Sequence, residues 1–260
     1  MQKLLLIPLL SLILPLNVSA TTAEDRGMQI AIEADQRDTG WRDQQAKIVM
    51  TLRNKQGDET TRENRMSILE VADDGDKSLI VFDTPADVKG TAFLSHTHSL
   101  RADDQWLFLP ALKRIKRISS SNKSGPFMGT EFAYEDLSSQ EVEKYAYKYL
   151  RDEESNGYQT FVIERIPQYK NSGYKRQLVW IDKTMYQPVK IEYYDRKGEL
   201  LKTLTYHEYK QYLDKFWRSS RMEMINHQTA KSTTLSWFDY KFNTGLKDRN
   251  FDKNSLKRAR

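Results

Sequence analysis

From residue 43 onward, apolar and polar positions alternate with a period of two in segment after segment, and this repeat predicts a chain made of β-strands. In the stretch 43–53, Ala46, Ile48, Met50 and Leu52 fall on one face, and Gln45, Lys47, Val49, Thr51 and Arg53 on the other. A turn around Gly57 leads to a polar strand at 59–69, so these two stretches form a hairpin. Similar patterns predict strands at 78–83, 88–95, 105–109, 112–118, around Tyr145, Tyr147 and Tyr149, and at 159–166, 174–181, 187–194, 200–211, 215–226 and 231–243. Turn signals such as Asn156-Gly157 separate them. Ahead of the first strand the period is helical: Thr22 is an N-cap candidate, Glu24 and Asp25 lie in the first turn, and Met28, Ala31 and Ile32 share a face up to about Asp38. The expected fold class is therefore mainly β, an antiparallel meander of about eleven strands curled into a barrel or half-open barrel, with an N-terminal helix and short covering helices or loops. The charged tail from Lys247 is expected to pack loosely.

One stretch departs from the regular pattern. Between Asp104 and Leu137, Trp106 and Phe108 share one strand face while Leu107 and Leu109 share the other, so both faces are apolar. After Pro110, the strand 112–118 carries Lys113, Arg114, Lys116 and Arg117 on both faces. Cations on both sides exclude a closed dry core, because each unpaired buried charge costs several kcal/mol, and this places the strand at a rim or beside acidic partners. Phe127, Met128, Phe132 and Tyr134 follow, with Gly125 and Gly129 around the Phe-Met tip, a pattern for a loop that folds over something.

Residues 1–20 have a different character: Lys3 gives a basic start, Leu4 to Leu16 an apolar run and Val18-Ser19-Ala20 a small-residue cleavage signal. A signal peptide cut after Ala20 is expected, followed by one domain over 21–260. The rival, a membrane anchor, is disfavoured because the run is shorter than the roughly 20 residues of a span and Pro8 and Pro15 interrupt it. There are no cysteines, which excludes disulfides, thiolate metal sites and a Cys nucleophile. An exported periplasmic protein is the expectation. The net charge is only +5 with both signs interleaved, and nucleic acid is not an expected partner.

Catalytic patterns are sparse. Of the four histidines, His96 and His98 form an H-x-H pair with no third ligand placed by spacing, so a surface or loop role is expected and no metal. There is no G-x-S-x-G, P-loop or dinucleotide fingerprint, so neither an enzyme nor a cofactor is expected. Fourteen Tyr, ten Phe, five Trp and eight Met point instead to binding, since Met and aromatic side chains make adaptable apolar walls. The candidates for walls and lid are Trp106, Phe108, Phe127, Met128, Phe132 and Tyr134, with Trp180 and Tyr193 farther along; ordinary core packing is the alternative for each. Lys113, Arg114, Lys116 and Arg117 are candidates for a basic rim meeting anionic headgroups or a docking surface; the alternative is pairing with Asp103, Asp104, Glu135 and Asp136.

The motifs DQWLFLPALKRIKRI and SGPFMGTEFAYEDL, with KSLIVFDTPADVKGTAFL before them and YKRQLVWIDKTMYQPVKIEYYDRKGELLKTL after, resemble the LolA-like family of outer-membrane lipoprotein-sorting proteins. The resemblance implies a half-open antiparallel barrel closed by helices, an apolar cavity for acyl chains, and no catalysis. It further implies a periplasmic carrier for a lipidic ligand or acylated lipoprotein, a monomer exchanging cargo with an inner-membrane RND-type exporter or an outer-membrane acceptor. The alternative is an accessory or sensor subunit of such an exporter, with lipid only modulating it.

Overall fold

The computed structural model describes residues 21–72 and 74–258; the expected signal peptide lies outside the described residues. The chain runs α1 (Ala23–Arg37), β1 (Asp43–Arg53), β2 (Glu59–Leu69), β3 (Lys77–Thr84), β4 (Ala92–His96), β5 (Asp104–Leu109), β6 (Arg114–Ile118), β7 (Tyr145–Ser155), β8 (Tyr158–Pro167), β9 (Tyr174–Asp182), β10 (Pro188–Asp195), β11 (Leu200–Tyr212), β12 (Phe216–Asn226) and β13 (Lys231–Phe242). The fold is mainly β, as the alternation indicates. The strand count is thirteen where the pattern suggested about eleven, and all thirteen join one sheet.

The sheet order is β6-β5-β4-β3-β2-β1-β13-β12-β11-β10-β9-β8-β7, and each neighbouring pair is antiparallel. Only β1 against β13 departs from a plain meander: Ile48 faces Trp237, and Met50 faces Leu235. Because the first and last strands pair, the free edges fall in the middle of the chain, at β6 and β7. The sheet is open, a half-barrel with its gap between those two strands.

Helix α1 begins as the sequence indicates, with a capping box in which Asp25 N–H donates to Thr22 Oγ1 at 3.0 Å and Thr22 N–H to Asp25 Oδ2 at 3.3 Å. Its buried face is Gly27, Ile30 and Ala31, with Met28 partly buried, whereas Ile32 is 39% exposed. The expected face is rotated because α1 lies directly on β7: a Cβ at Gly27 would come within 2.7–2.8 Å of the Lys148 and Tyr149 backbone. Gly27 therefore sets which side of the helix approaches the strand.

The main core fills the concave face, from Ile48, Phe82 and Phe93 on one side to Ile163, Ile191 and Leu204 on the other. Two smaller clusters lie on the outer face. In one, Phe251 and Leu256 of the C-terminal tail cover Val81, Ala92 and Leu94, and both tail residues are almost fully buried. The loose packing expected of this tail is thus corrected: two apolar side chains among its charges suffice to dock it, and His96 Nε2 lies 2.8 Å from the Phe251 carbonyl oxygen.

Candidate functional site: a cavity beside a threaded segment

Residues 119–144 connect the two edge strands, and the connection passes through the concavity. A tight turn forms at its tip, with Thr130 N–H donating to Phe127 O at 2.9 Å and Phe127 N–H to Phe132 O at 2.7 Å. Met128 and Gly129 take the left-handed conformation that such a turn requires. Phe127 is fully buried, its ring 5.1 Å from Phe93 and 5.5 Å from Tyr134. The Phe-Met tip sits inside the half-barrel as a plug.

Polar contacts fix this plug on three sides. Arg62 of β2 donates to Met128 O at 2.6 Å, and Glu131 N–H donates to Thr233 Oγ1 of β13 at 3.0 Å. Lys202 of β11 donates to Glu131 O at 2.9 Å and to Asp136 Oδ2 at 2.6 Å, where both side chains are 4% exposed. Tyr174 OH donates to the other Asp136 oxygen at 2.8 Å. Glu135 accepts from Gly173 N–H, Ser172 Oγ and Tyr169 OH, and burial together with the adjacent Asp136 holds its carboxyl above the usual range. A buried pair of this kind adds little over an apolar pair, but losing one partner strands the other.

Beside the plug lies a cavity of about 230 Å³. Ile48, Met50, Ile80, Met222 and Leu235 form its walls from the sheet, Phe132 and Leu137 close it from the plug, and Tyr206 and Trp237 complete it. Trp237 Nε1 is buried there with no hydrogen-bond partner. One end is polar, with Ser78, Thr97, Ser138, Ser139 and Asp76, whose carboxyl is pushed up to about 7 by burial. The opposite side of the plug, at Pro126 and Gly129, borders a separate open cleft of about 620 Å³ whose walls carry Arg196, Lys197, Lys202 and Lys231. The threaded segment thus divides the concavity into an apolar chamber and a polar cleft.

The residues singled out from sequence fall on both sides of the sheet. Phe132 lines the chamber; Phe127, Met128, Tyr134 and Tyr193 pack in the main core around it. Trp106 and Phe108 face outward, against the cluster of Phe251 and Leu256, and so lie away from the cavity. Trp180 also faces outward, its Nε1 donating to Glu153 at 3.0 Å and Lys190 Nζ lying 3.5 Å over its ring. Lys113, Arg114, Lys116 and Arg117 are exposed on and beside β6, a sheet edge. Of their expected acidic partners only Asp104 serves, pairing with Arg117; Asp103 pairs with Lys144 and Asp136 with Lys202. His98 is buried rather than superficial, with Nδ1 2.7 Å from Asp74, whose carboxyl is held at about 2 by that contact and two backbone N–H groups against the effect of burial. Among the described residues no group of three metal-ligating side chains occurs.

Leu204, Tyr206, Met222, Leu235 and Trp237 of the chamber wall come from the last three strands, which the sequence reading placed as strands but did not single out for the cavity. Their signal was the alternation itself, which puts Leu204 with Tyr206, Met222 with Met224, and Leu235 with Trp237 on single faces.

A family model described as an uncharacterized protein matches residues 74–258. The chain is 59% identical to an outer membrane lipoprotein-sorting protein domain from Vibrio parahaemolyticus, with 90% of this chain and 99% of that one covered and a TM-score of 0.89. It is 30% identical to a DUF1329 family protein from Desulfovibrio piger, over 91% of this chain and 100% of that one, with a TM-score of 0.86. A LolA superfamily protein from Nitrosomonas europaea shares the fold at 23% identity and a TM-score of 0.70, over 91% of this chain and 100% of that one. No curated protein matches the chain.

Proposed function

We propose, from the premise that this chain belongs to the LolA-like family of outer-membrane lipoprotein-sorting proteins, that it is a periplasmic carrier sheltering an acyl chain inside its half-barrel. The fold is that of a carrier and is non-enzymatic. The observation that carries the reading is the apolar chamber between the concave sheet and Phe132 and Leu137 of the threaded segment. Each methylene buried there contributes about 0.8 kcal/mol, so a single enclosed chain gives useful affinity without covalent chemistry.

The chamber is small. At ~30 Å³ per water molecule its volume equals that of about eight waters, enough for one short acyl segment. The several chains of an acylated lipoprotein require residues 119–144 to withdraw, which joins chamber and cleft into one channel. Native mass spectrometry of protein purified from a periplasmic extract tests the reading. Co-purifying acyl lipid is expected, and Met222→Trp, which fills the chamber, removes it; lipid-free protein that also fails to take up added acyl chains ends the proposal.

A second reading, an accessory subunit of an RND-type exporter, draws on β6. That edge strand keeps its outer backbone groups unpaired beside exposed Lys113, Arg114 and Lys116, a surface suited to an acidic extended segment of a membrane partner. Capture of the exporter by protein that never binds lipid favours it over the carrier.

A further inference from the structure

A row of inward-facing polar residues crosses the sheet next to the chamber: Tyr147 faces Arg165, Arg165 faces Gln177, Gln177 faces Tyr193, and Tyr193 faces Lys202. The two cations of this row are treated differently. Lys202 is neutralised by Asp136, whereas Arg165, 8% exposed, has no carboxylate partner among the described residues. Its one hydrogen bond is from Nε to Gln177 Oε1 at 2.5 Å, and its guanidinium carbon lies 4.8 Å from the Tyr145 ring centre. Tyrosines 145, 147, 193 and 206 lie around it, and being uncharged at neutral pH they do not neutralise it. Holding a guanidinium in this place without a counter-charge is costly, and the two terminal nitrogens have hydrogen bonds to give.

Tyr206 links this cage to the chamber. It lines the cavity wall, and its hydroxyl, pushed up to about 12 by burial, is drawn back by the Arg165 charge. Arg165 itself lies outside the chamber lining, so a ligand with its tail among Ile48, Met50 and Leu235 reaches it only where Tyr206 turns aside, and there a fork of N–H donors fits a carboxylate or a phosphate oxygen pair.

Resting on the carrier reading, we infer that Arg165 and its tyrosine cage form an anion anchor, and that the natural ligand is an acidic single-chain amphiphile held head-inward. Nothing in the sheet needs that charge for pairing, and the donors are already fixed on strands, so little ordering is lost on binding.

The test compares dodecanoate with 1-dodecanol, equal in chain length and differing in head charge, by calorimetric titration near neutral pH. The wild-type protein is expected to bind dodecanoate at least about tenfold more tightly than the alcohol. Arg165→Gln removes that preference while keeping dodecanol affinity, and Arg165→Lys retains part of it. Equal binding of both probes by the wild type overturns the anchor and leaves the carrier standing. An undiminished preference in a folded Arg165→Gln protein also overturns it. If neither probe binds the wild type, the carrier reading fails and the anchor with it. The wild-type comparison stands whether or not a variant folds.

Discussion

The two strands that bound this sheet are protected by different means. β7 is covered by α1 around Lys148 and Tyr149, pressed so close at Gly27 that no side chain fits between them. β6 has no such cover and carries charge instead, with Arg114 and Lys116 exposed on the last strand. A free edge is a template for pairing with another chain, and both devices prevent it, one by blocking the approach and the other by repelling a neighbour. The difference teaches where a partner can reach the fold. The helix side is sealed, and the basic side stays accessible. Residues 119–144 tie the two together, leaving β6, crossing the interior, and returning to β7 past Asp76 and Asp103.

The strongest way to break this arrangement is to release that tie. Asp136→Ala leaves Lys202 buried without its partner and frees Tyr174 OH, a loss expected to cost about 3–5 kcal/mol. Urea unfolding measures it, and a cost below about 1 kcal/mol means that the Asp136 contacts do not hold the crossing segment. Next in size is a paired substitution at the two edges. Gly27→Val forces α1 off β7 and is expected to cost about 1–3 kcal/mol or more, because the obstructing atoms are backbone. Lys116→Val on β6 changes stability by no more than about 0.5 kcal/mol, yet it removes charge from the bare edge and promotes self-association visible by light scattering. Similar stability losses at both positions, with no association, sink the contrast.

Much of the fold was legible because its strands alternate. The capped helix, the hairpins and the segment with cations on both faces all followed from period and burial cost, and that last segment is an edge strand. The pairing of β1 with β13 was not legible, since contacts across most of the chain leave no local mark. The course of residues 119–144 escaped for a related reason. Glycines around Phe127 describe a tight turn equally well whether the tip covers the barrel or enters it; Phe82 and Phe93, which hold it inside, come from distant positions. Trp106 and Phe108 pointed the wrong way for a chamber because both faces of β5 are apolar, so alternation cannot assign a side. Arg165 was readable in principle. Phe161, Ile163 and Arg165 share one face of β8, and a cation in line with two core residues is the sign of an inward charge.

A pH-dependent effect sharpens the comparison at the return end of the crossing segment, which rests beside a buried carboxyl. Asp76 N–H donates to Ser139 Oγ at 3.1 Å, and the Asp76 carboxyl is pushed up to about 7, chiefly by burial. Its folded-state value lies above that of an unfolded Asp near 3.9, so the native protein keeps a proton that the unfolded chain releases. The stability this adds is complete below about pH 4 and fades as pH rises toward 7. His96 acts in the opposite direction, since burial lowers its pKa and favours folding as pH rises through the histidine range. Asp76→Asn separates the contributions: the variant should match the wild type near pH 4 and exceed it in stability near pH 7.5, because the amide stays neutral at both. A stability difference that does not change with pH would show that Asp76 is ionised throughout and that water reaches the polar end of the chamber.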